Sequence, residues 1–324
     1  MTSALPERLP ERLTTSVPDR AGVAVVVNPT KLDDGAALRD RITAALAARH
    51  LPAPLWLETS EQDPGFGMAE QALARGAGVV MACGGDGTVR AVMTVLAGTG
   101  VPLAVLPAGT GNLLARNLGL PVGDLAAAVE IALTGRDRAI DVGRLEPADD
   151  DGRHQRFAIM AGVGLDAAIM RDAPEGVKAR LGWPAYVLSA LRHLRRPGVR
   201  IRLELDGRPV MTTRVQTVVI GNMGRLQGGV QLLPDATPDD GALDVAVLAG
   251  RGLLDWARIV GRVLTRRPGL DQRFLTFRAQ RVSVTLRHLQ PRQADGDLLD
   301  PGRLLDARIE PGAVLVRVPS EGSA

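Results

Sequence analysis

The chain contains few of the residues on which several classes of protein depend. Its 324 residues include one cysteine, Cys83, which excludes an internal disulfide and a cysteine-based zinc site. Aromatic residues make up only 2% of the chain, too few for the base-stacking surfaces that single-stranded nucleic acid requires. No apolar run reaches the roughly 20 residues that span a bilayer, and the four histidines are scattered without metal-ligand spacing. We therefore expect neither a nucleic-acid partner nor a membrane-spanning helix.

The positive charge of the chain is carried almost entirely by arginine. Lysine occurs only at Lys31 and Lys178, and 39 basic residues against 36 acidic ones give a net charge of +3. This balance fits nucleotide phosphates or an anionic membrane surface better than DNA or RNA. Residues 1–20 are rich in proline, arginine and glutamate and lack the apolar core of a signal peptide. The sequence thus predicts a flexible tail there, and a cytoplasmic protein with peripheral contact at the inner face of the membrane.

Short apolar runs alternate with helical patterns in the first half of the chain. Strands are predicted at residues 22–28, 55–57, 79–83 and 103–106, and helices at 34–49, 67–75, 89–96, 113–118 and 124–133. Asp124 is a suitable N-cap for the last of these helices. Continuous apolar strands alternating with helices indicate a doubly wound α/β nucleotide-binding domain, which we assign to residues 21–145.

The pattern changes in the second half, where apolar and polar residues alternate with a period of two. Strands are predicted at residues 199–206, 214–221, 243–248, 281–287 and 314–318, which indicates a β-rich, sandwich-like domain over residues 146–324. Amphipathic helices are predicted at 183–194 and 252–267. The second carries a stripe of arginines that either faces solvent or contacts an anionic bilayer.

Two glycine-rich loops follow successive predicted strands. Gly84-Gly85-Asp86-Gly87-Thr88 separates the strand at 79–83 from a helical pattern, and 107–112 (PAGTGN) follows the strand at 103–106. Glycines let a backbone approach an anion closely, and a helix N-terminus offers unpaired N–H groups. Asp86 puts a carboxylate inside this cradle, where it would meet a metal ion or a proton. Two such loops at the ends of successive strands predict one nucleotide site.

The two loops, in this order and context, resemble the diacylglycerol kinase catalytic domain of bacterial soluble lipid kinases. The superfamily also contains sphingosine and ceramide kinases, and the resemblance extends from about residue 23 to residue 318. It implies a nucleotide domain and a β-rich domain with the active site in the cleft between them. It also implies transfer of the γ-phosphate of ATP, with Mg²⁺, to the hydroxyl of a diacylglycerol-like or sphingoid lipid. The sequence is compatible with a homodimer.

The resemblance assigns nucleotide-binding roles to residues after the first two strands and in the two loops. These residues are Asn28, Thr59, Gly84, Gly85, Asp86, Gly87, Thr88, Thr110 and Asn112. Arg90 stands where the family often has asparagine. Gly221-Asn222 is similar to a family element at the cleft, although a tight turn between strands would have the same sequence.

Acidic motifs in the second half are implied to hold the metal and the catalytic base. Asp240 matches the magnesium-binding aspartate of the family, with carbonyls near Thr237 and Ala242 as further oxygen ligands. Phosphate transfer to an alcohol needs a carboxylate to accept the hydroxyl proton. Asp297 stands in an Asp-Gly-Asp motif where the family has Asp-Gly-Glu, and Asp295 or Asp86 is the alternative catalytic carboxylate.

Two other functions fit parts of the same pattern. NAD kinases share the Gly-Gly-Asp-Gly-Thr pentad, although the elements at 109–112 and 239–244 favour the lipid kinases. A catalytically silent regulator that binds nucleotide or lipid is the third hypothesis, suggested by the departures at Arg90 and Asp297.

Overall fold

The computed structural model describes residues 22–147, 149, 152–164, 198–226, 231–250, 255 and 274–320. The predicted tail at 1–20 and the predicted helix at 183–194 lie outside these residues. So does the predicted helix at 252–267, apart from Asp255. None of the helices within the described ranges is long and apolar enough to cross a membrane.

The first half forms a parallel sheet with helices between its strands, as the alternating pattern predicted. The strands are β1 (Gly22–Val27), β2 (Leu55–Glu58), β3 (Ala77–Gly84) and β4 (Leu103–Pro107). The helices are α1 (Gly35–Ala47), α2 (Phe66–Ala74), α3 (Asp86–Leu96), α4 (Leu113–Asn117) and α5 (Leu125–Thr134), with a 3-10 turn at Pro29–Lys31. The strand order is β4-β3-β1-β2. Burial on both faces of β1, β3 and β4 explains why their sequences are continuously apolar, whereas the edge strand β2 is only partly buried.

Aspartates fix the starts of several helices. Asp34 accepts a hydrogen bond from the Ala37 amide at 2.8 Å, and Asp124 accepts one from Ala127 at 2.9 Å, which confirms the N-cap predicted there. Helix α3 starts at Asp86, three residues before its predicted start. The glycines at the start of α3 made its helical pattern harder to recognise in the sequence, although an acidic residue in the first turn stabilises a helix.

The second half is rich in antiparallel strands. They are β5 (Arg136–Glu146), β6 (Arg156–Phe157), β7 (Met160–Gly164), β8 (Val199–Leu205), β9 (Arg208–Val215), β10 (Thr217–Gly221), β11 (Leu243–Leu248), β12 (Phe274–Ala279), β13 (Arg281–Ala294) and β14 (Asp297–Val318). The strand predicted at 214–221 is in fact two, because the chain changes neighbours at Gln216. Before this residue it pairs with β8, and after it with β7 and β11.

The last strand joins the two halves. Residues Val314–Val318 of β14 pair with Arg136–Ile140 of β5, and Val316 also pairs with Leu103 of β4. Val314, Val316 and Val318 are buried in the same hydrophobic cluster as the strands of the first sheet. The end of the chain therefore packs with the α/β half, and the assignment of two domains split at 145 stays a prediction.

Candidate functional site

The parallel sheet brings the predicted nucleotide-binding residues to one edge. The Asn28 amide donates to the Cys83 carbonyl and the Thr59 amide to the Val27 carbonyl, each at 2.8 Å. Gly84, the last residue of β3, is in register with Pro107 of β4. The carboxyl ends of the four strands are thus level, which is where open α/β sheets bind ligands.

The two glycine loops touch each other. The Gly84 carbonyl accepts hydrogen bonds from the amides of Ala108 and Gly109, both at 3.1 Å. A Cβ atom on Gly109 would lie 2.5 Å from the Cα atom of Gly85, so a side chain there would push the loops apart. Asn112, with φ at +49°, folds back onto the loop: its Oδ1 accepts from the Gly109 amide at 3.1 Å and its Nδ2 donates to the Gly109 carbonyl at 2.6 Å. Asn112 therefore shapes the second loop.

The Asp86 carboxylate lies between the loops. Its Oδ1 accepts a hydrogen bond from the Leu113 amide at 2.6 Å, and a Cβ on Gly111 would lie 2.3 Å from its Oδ2. Burial raises the pKa of Asp86, and the charge of Asp297 adds to this, while backbone hydrogen bonds from Leu113 and Asn112 act in the opposite direction. A cation near this carboxylate would favour its charged form.

The other predicted nucleotide residues differ in how accessible they are. Thr110 is exposed at the loop tip, and Thr59 is buried. Thr88 is buried against Gly84, whose Cβ would lie 2.8 Å from it. The Asn28 Oδ1 accepts from the amide and hydroxyl of Thr30, at 3.1 and 2.8 Å, and so closes the turn after β1.

Asp295 anchors the turn between β13 and β14. Its Oδ2 accepts from the Ala158 amide at 2.7 Å, and its Oδ1 accepts from the amides of Ile159 and Met160 at 2.8 and 2.9 Å. Burial raises the pKa of Asp295 to about 6, although these hydrogen bonds and Arg90 favour the charged form. The carboxylate therefore fixes the turn to the segment before β7.

This raised pKa predicts how stability depends on pH. A buried carboxyl with a pKa of about 6 in the folded chain and about 4 when unfolded keeps its proton longer when folded. The free energy of unfolding should then fall as the pH rises from 4 to 6.5, by about 2 kcal/mol for this group. Urea unfolding of the wild-type chain and of Asp295→Asn, across this range, isolates the contribution as the difference between the two curves. If the free energy of unfolding changed with pH equally in the two chains, the raised pKa of Asp295 would be contradicted.

Asp297 is the more accessible carboxylate of the same motif. Its side chain is 40% exposed, and its Oδ2 accepts from Arg90 Nε at 2.9 Å. A Cβ on Gly87 would lie 3.3 Å from the same oxygen, so the carboxylate lies over the first turn of α3. The structure thus brings Asp297 next to the glycine loop, although the two are far apart in the sequence.

A small cavity of about 10 Å³, with room for about one water molecule, lies between Asp86, Arg90 and Asp295. Its polar lining is Asp86, Arg90 and Asp295, and its apolar lining includes Val89, Met93 and Ile159. Asp86 and Arg90 share one face of α3 because they are four residues apart. Charged and apolar walls therefore meet at the junction of the two halves.

The predicted metal residues lie together in the turn before β11. Thr237 donates its hydroxyl proton to Asp240 Oδ2, and the Ala242 amide donates to Asp240 Oδ1 at 3.1 Å. Arg278 of β12 also pairs with the Asp240 carboxylate, at 2.5 Å. The side chains thus come together as predicted, and the carboxylate already has a cationic neighbour.

Asp240 lies in a patch with an excess of negative charge. Burial raises the pKa of Asp244, and the charges of Asp240 and Asp235 raise it further, whereas Arg278 lowers it. Three carboxylates therefore share one patch with one guanidinium. Among the described residues no three His, Cys, Asp or Glu side chains are arranged to hold a metal by themselves. An ion here would depend on backbone carbonyls and water as well, which suits Mg²⁺.

Asp141 is a residue that the sequence reasoning missed. It is buried in β5, where its carboxylate accepts from the amides of Gly241 and Gly312, both at 2.7 Å. The Asp141 carbonyl accepts from Asn222 Nδ2 at 2.8 Å. Through its hydrogen bond with Gly241, Asp141 also fixes the turn of Asp240 to the sheet. A single aspartate within the apolar run 139–142 was the signal that could have revealed it.

Comparison with known proteins matches both halves. Residues 22–145 match the diacylglycerol kinase catalytic domain, and residues 159–318 match the YegS C-terminal NAD kinase beta sandwich-like domain. A diacylglycerol kinase from Mycobacterium tuberculosis (strain ATCC 25618 / H37Rv) is 33% identical over 258 residues, 78% of this chain and 80% of the relative. A protein named "Probable lipid kinase YegS-like", from Pseudomonas fluorescens, is 31% identical over 302 residues, 88% and 93% of the two chains. A crystal structure of a diacylglycerol kinase from Bacillus anthracis str. Sterne shares the fold, with a TM-score of 0.68, 21% identity and coverage of 92% and 97%.

The fold and these matches define a kinase with an α/β domain followed by a β-sandwich-like domain, as the sequence predicted. The chain belongs to the diacylglycerol kinase family of lipid kinases, and the resemblance drawn from the glycine loops is confirmed.

Proposed function

We propose that this kinase transfers the γ-phosphate of ATP to the hydroxyl of a lipid, with Mg²⁺ as the metal ion. The observation that carries the proposal is the convergence of Asp86, Asp295 and Asp297 at the N-terminus of α3. A phosphate loop and a candidate base meet there, as transfer to an alcohol requires.

The start of α3 would bind the phosphates of ATP. The amides of Gly84–Thr88 lie at the end of β3 and the first turn of the helix, where the helix dipole favours an anion. Asn28, Thr59 and Thr110 lie at the same edge of the sheet and would contact the rest of the nucleotide. Asn112 would act by holding the second loop in shape.

Asp297 would accept the proton of the lipid hydroxyl. It is the accessible carboxylate of its motif, whereas the oxygens of Asp295 accept three backbone hydrogen bonds. Asp295 would then fix the turn that carries Asp297. The proposal thus takes Asp297, rather than Asp86 or Asp295, as the base.

Asp240 would hold Mg²⁺ with carbonyl oxygens near Thr237 and Ala242, because its patch carries an excess of negative charge. When bound, the ion would neutralise charge on the triphosphate. The relatives named as a diacylglycerol kinase and a lipid kinase support a lipid acceptor, such as a diacylglycerol-like or sphingoid lipid.

The test is transfer of labelled phosphate from ATP, with and without Mg²⁺, to a panel of detergent-dispersed lipids, with NAD as a parallel acceptor. A labelled lipid that forms only with Mg²⁺ is the expected result. Label on NAD would overturn the lipid acceptor. Tight binding of ATP without any product would favour the silent regulator.

We further propose that the enzyme meets its acceptor at an anionic membrane, at the inner face of the bilayer. Arg200 of β8 lies directly opposite Arg214 of β9. On the other neighbouring strand, Arg287 directly follows Leu286, the residue of β13 that pairs with Ile201. The three arginines are exposed, and none is in an ion pair that the structure describes. Like charges opposite each other destabilise a sheet unless an anion offsets them. Each arginine near an anionic bilayer contributes about 1 kcal/mol.

Reversing two of these charges should weaken membrane binding. Arg200→Glu/Arg214→Glu is expected to lower binding to phosphatidylglycerol-containing vesicles by about 30-fold, since about 2 kcal/mol of attraction is lost. Co-sedimentation with vesicles measures this, with phosphatidylcholine vesicles as the neutral reference. The matched control is Arg41→Glu/Arg75→Glu, which makes the same change in net charge on exposed residues of the other half. Equal weakening by both pairs would refute the role of this face.

A further inference from the structure

Arg90 is a nearly buried cation in the candidate active site. It lies one turn after Asp86 on α3 and is 9% exposed. Its Nε donates to Asp297 Oδ2 at 2.9 Å, and its NH1 donates to Gln155 Oε1 at 2.7 Å. The guanidinium therefore connects the helix that carries the phosphate loop to the turn that carries the candidate base.

The partners of Arg90 are themselves held in place. Gln155 Nε2 donates to Asp149 Oδ2 at 2.8 Å, so its amide oxygen is fixed towards Arg90. The same carboxylate oxygen of Asp297 also lies close to Gly87, since a Cβ there would lie 3.3 Å from Oδ2. The planar guanidinium can thus restrain Asp297 in one orientation.

The charges around the cavity explain why such a restraint is needed. Asp86 and Asp295 line the cavity, and the charge of the nearby Asp297 raises the pKa of Asp86. Triphosphate bound at the N-terminus of α3 would repel the Asp297 carboxylate towards solvent, because like charges at close range in a partly buried site repel strongly. Arg90 offsets this repulsion from within the same cavity.

We propose that Arg90 is a positioning residue, which with Gln155 holds the Asp297 carboxylate over the phosphate loop while ATP is bound. This inference rests on the proposed function, in which Asp297 is the base. Arg90 acts on Asp297, so its loss should affect the chemical step more than the binding of ATP. Small displacements of a reacting group lower rates steeply.

The experiment compares Arg90→Gln, Arg90→Lys and Arg156→Gln in steady-state phosphate transfer to the lipid that the panel identifies. Arg156 is the matched control: its Nε pairs with Glu310 at 2.7 Å and its NH1 donates to the Thr94 carbonyl of α3 at 3.2 Å. It thus supports the same helix from a half-buried ion pair and has no described contact with Asp297. We expect Arg90→Gln to lower kcat by about 10²-fold with little change in the KM for ATP. Arg90→Lys should recover part of the loss, and Arg156→Gln should have a kcat close to that of the wild-type chain.

Two kinetic outcomes would overturn the inference. A raised KM for ATP with unchanged kcat would show that Arg90 binds nucleotide, and equal losses in Arg90→Gln and Arg156→Gln would show a merely structural role. Absence of transfer by the wild-type chain would instead refute the proposed function. Urea unfolding then still tests the contact: the effects of Arg90→Gln and Asp297→Asn should be non-additive, and strict additivity would refute the restraint.

Discussion

Replacing Asp86 by asparagine is expected to lower the rate of phosphate transfer by about 10³-fold, a loss typical of a preorganised electrostatic group. Asp86 lies between the two glycine loops, and its charge is what asparagine removes. The amide oxygen of asparagine can still accept the hydrogen bond from Leu113. Burial raises the pKa of Asp86, so its charged form is disfavoured in the folded chain, and a neutral replacement should leave the fold intact.

Phosphate transfer and thermal unfolding of Asp86→Asn and Asp86→Ala measure the two parts of this expectation. Asp124→Asn is the matched control, because Asp124 caps α5 by accepting from the Ala127 amide at 2.9 Å and asparagine is an equally good cap. A wild-type rate in Asp86→Asn would remove Asp86 from the site. A loss of rate accompanied by unfolding would show that Asp86 acts only on stability.

Replacing Asp297 by asparagine is expected to lower kcat by about 10²–10⁴-fold, the range for loss of a general base. The side chain is 40% exposed, so the neutral amide can be solvated, and stability should fall only by the loss of the ion pair with Arg90. The binding of ATP should be retained, because the phosphate loop belongs to α3 and does not depend on this carboxylate.

Steady-state kinetics of Asp297→Asn measure the loss, and calorimetric titration measures the affinity for ATP. Asp300→Asn is the control, since Asp300 is an exposed carboxylate three residues further along β14. Full activity in Asp297→Asn, combined with inactivity of a folded Asp295→Asn, would transfer the role of base to Asp295.

The first half of the fold was predicted well because its signals are local. Each strand at 22–28, 55–57, 79–83 and 103–106 is a short apolar run, and each is found with its bounds changed by a few residues. Prediction from the local sequence failed for a strand that is rich in charged residues. Strand β5 begins with Arg136, Asp137 and Arg138, and it forms because it pairs along its length with β14, where Asp137 also pairs with Arg317 at 2.7 Å. That partner is 180 positions away, so no local pattern could reveal it.

The candidate site was predicted in its parts but not in its assembly. The glycine loops, Asp240 and the Asp295–Asp297 motif were each identified from sequence and resemblance. The different roles that we propose for these residues depend on contacts that the sequence does not show. Nothing in the motif distinguishes Asp295 from Asp297, whereas the structure buries one against three amides and leaves the other accessible. Asp141 was missed because its role lies in joining turns from distant parts of the chain.

The sequence by itself determined the order of strands and helices in the α/β half, the two phosphate-type loops and the membership of a lipid kinase family. Glycines, helix starts and apolar runs act over a few residues, so their consequences can be read locally. Only the tertiary structure decided that Arg90 meets Asp297, 207 positions later, and that the end of the chain closes on the first sheet. Such contacts depend on how strands align across a sheet, and that alignment is set by the packing of the whole chain.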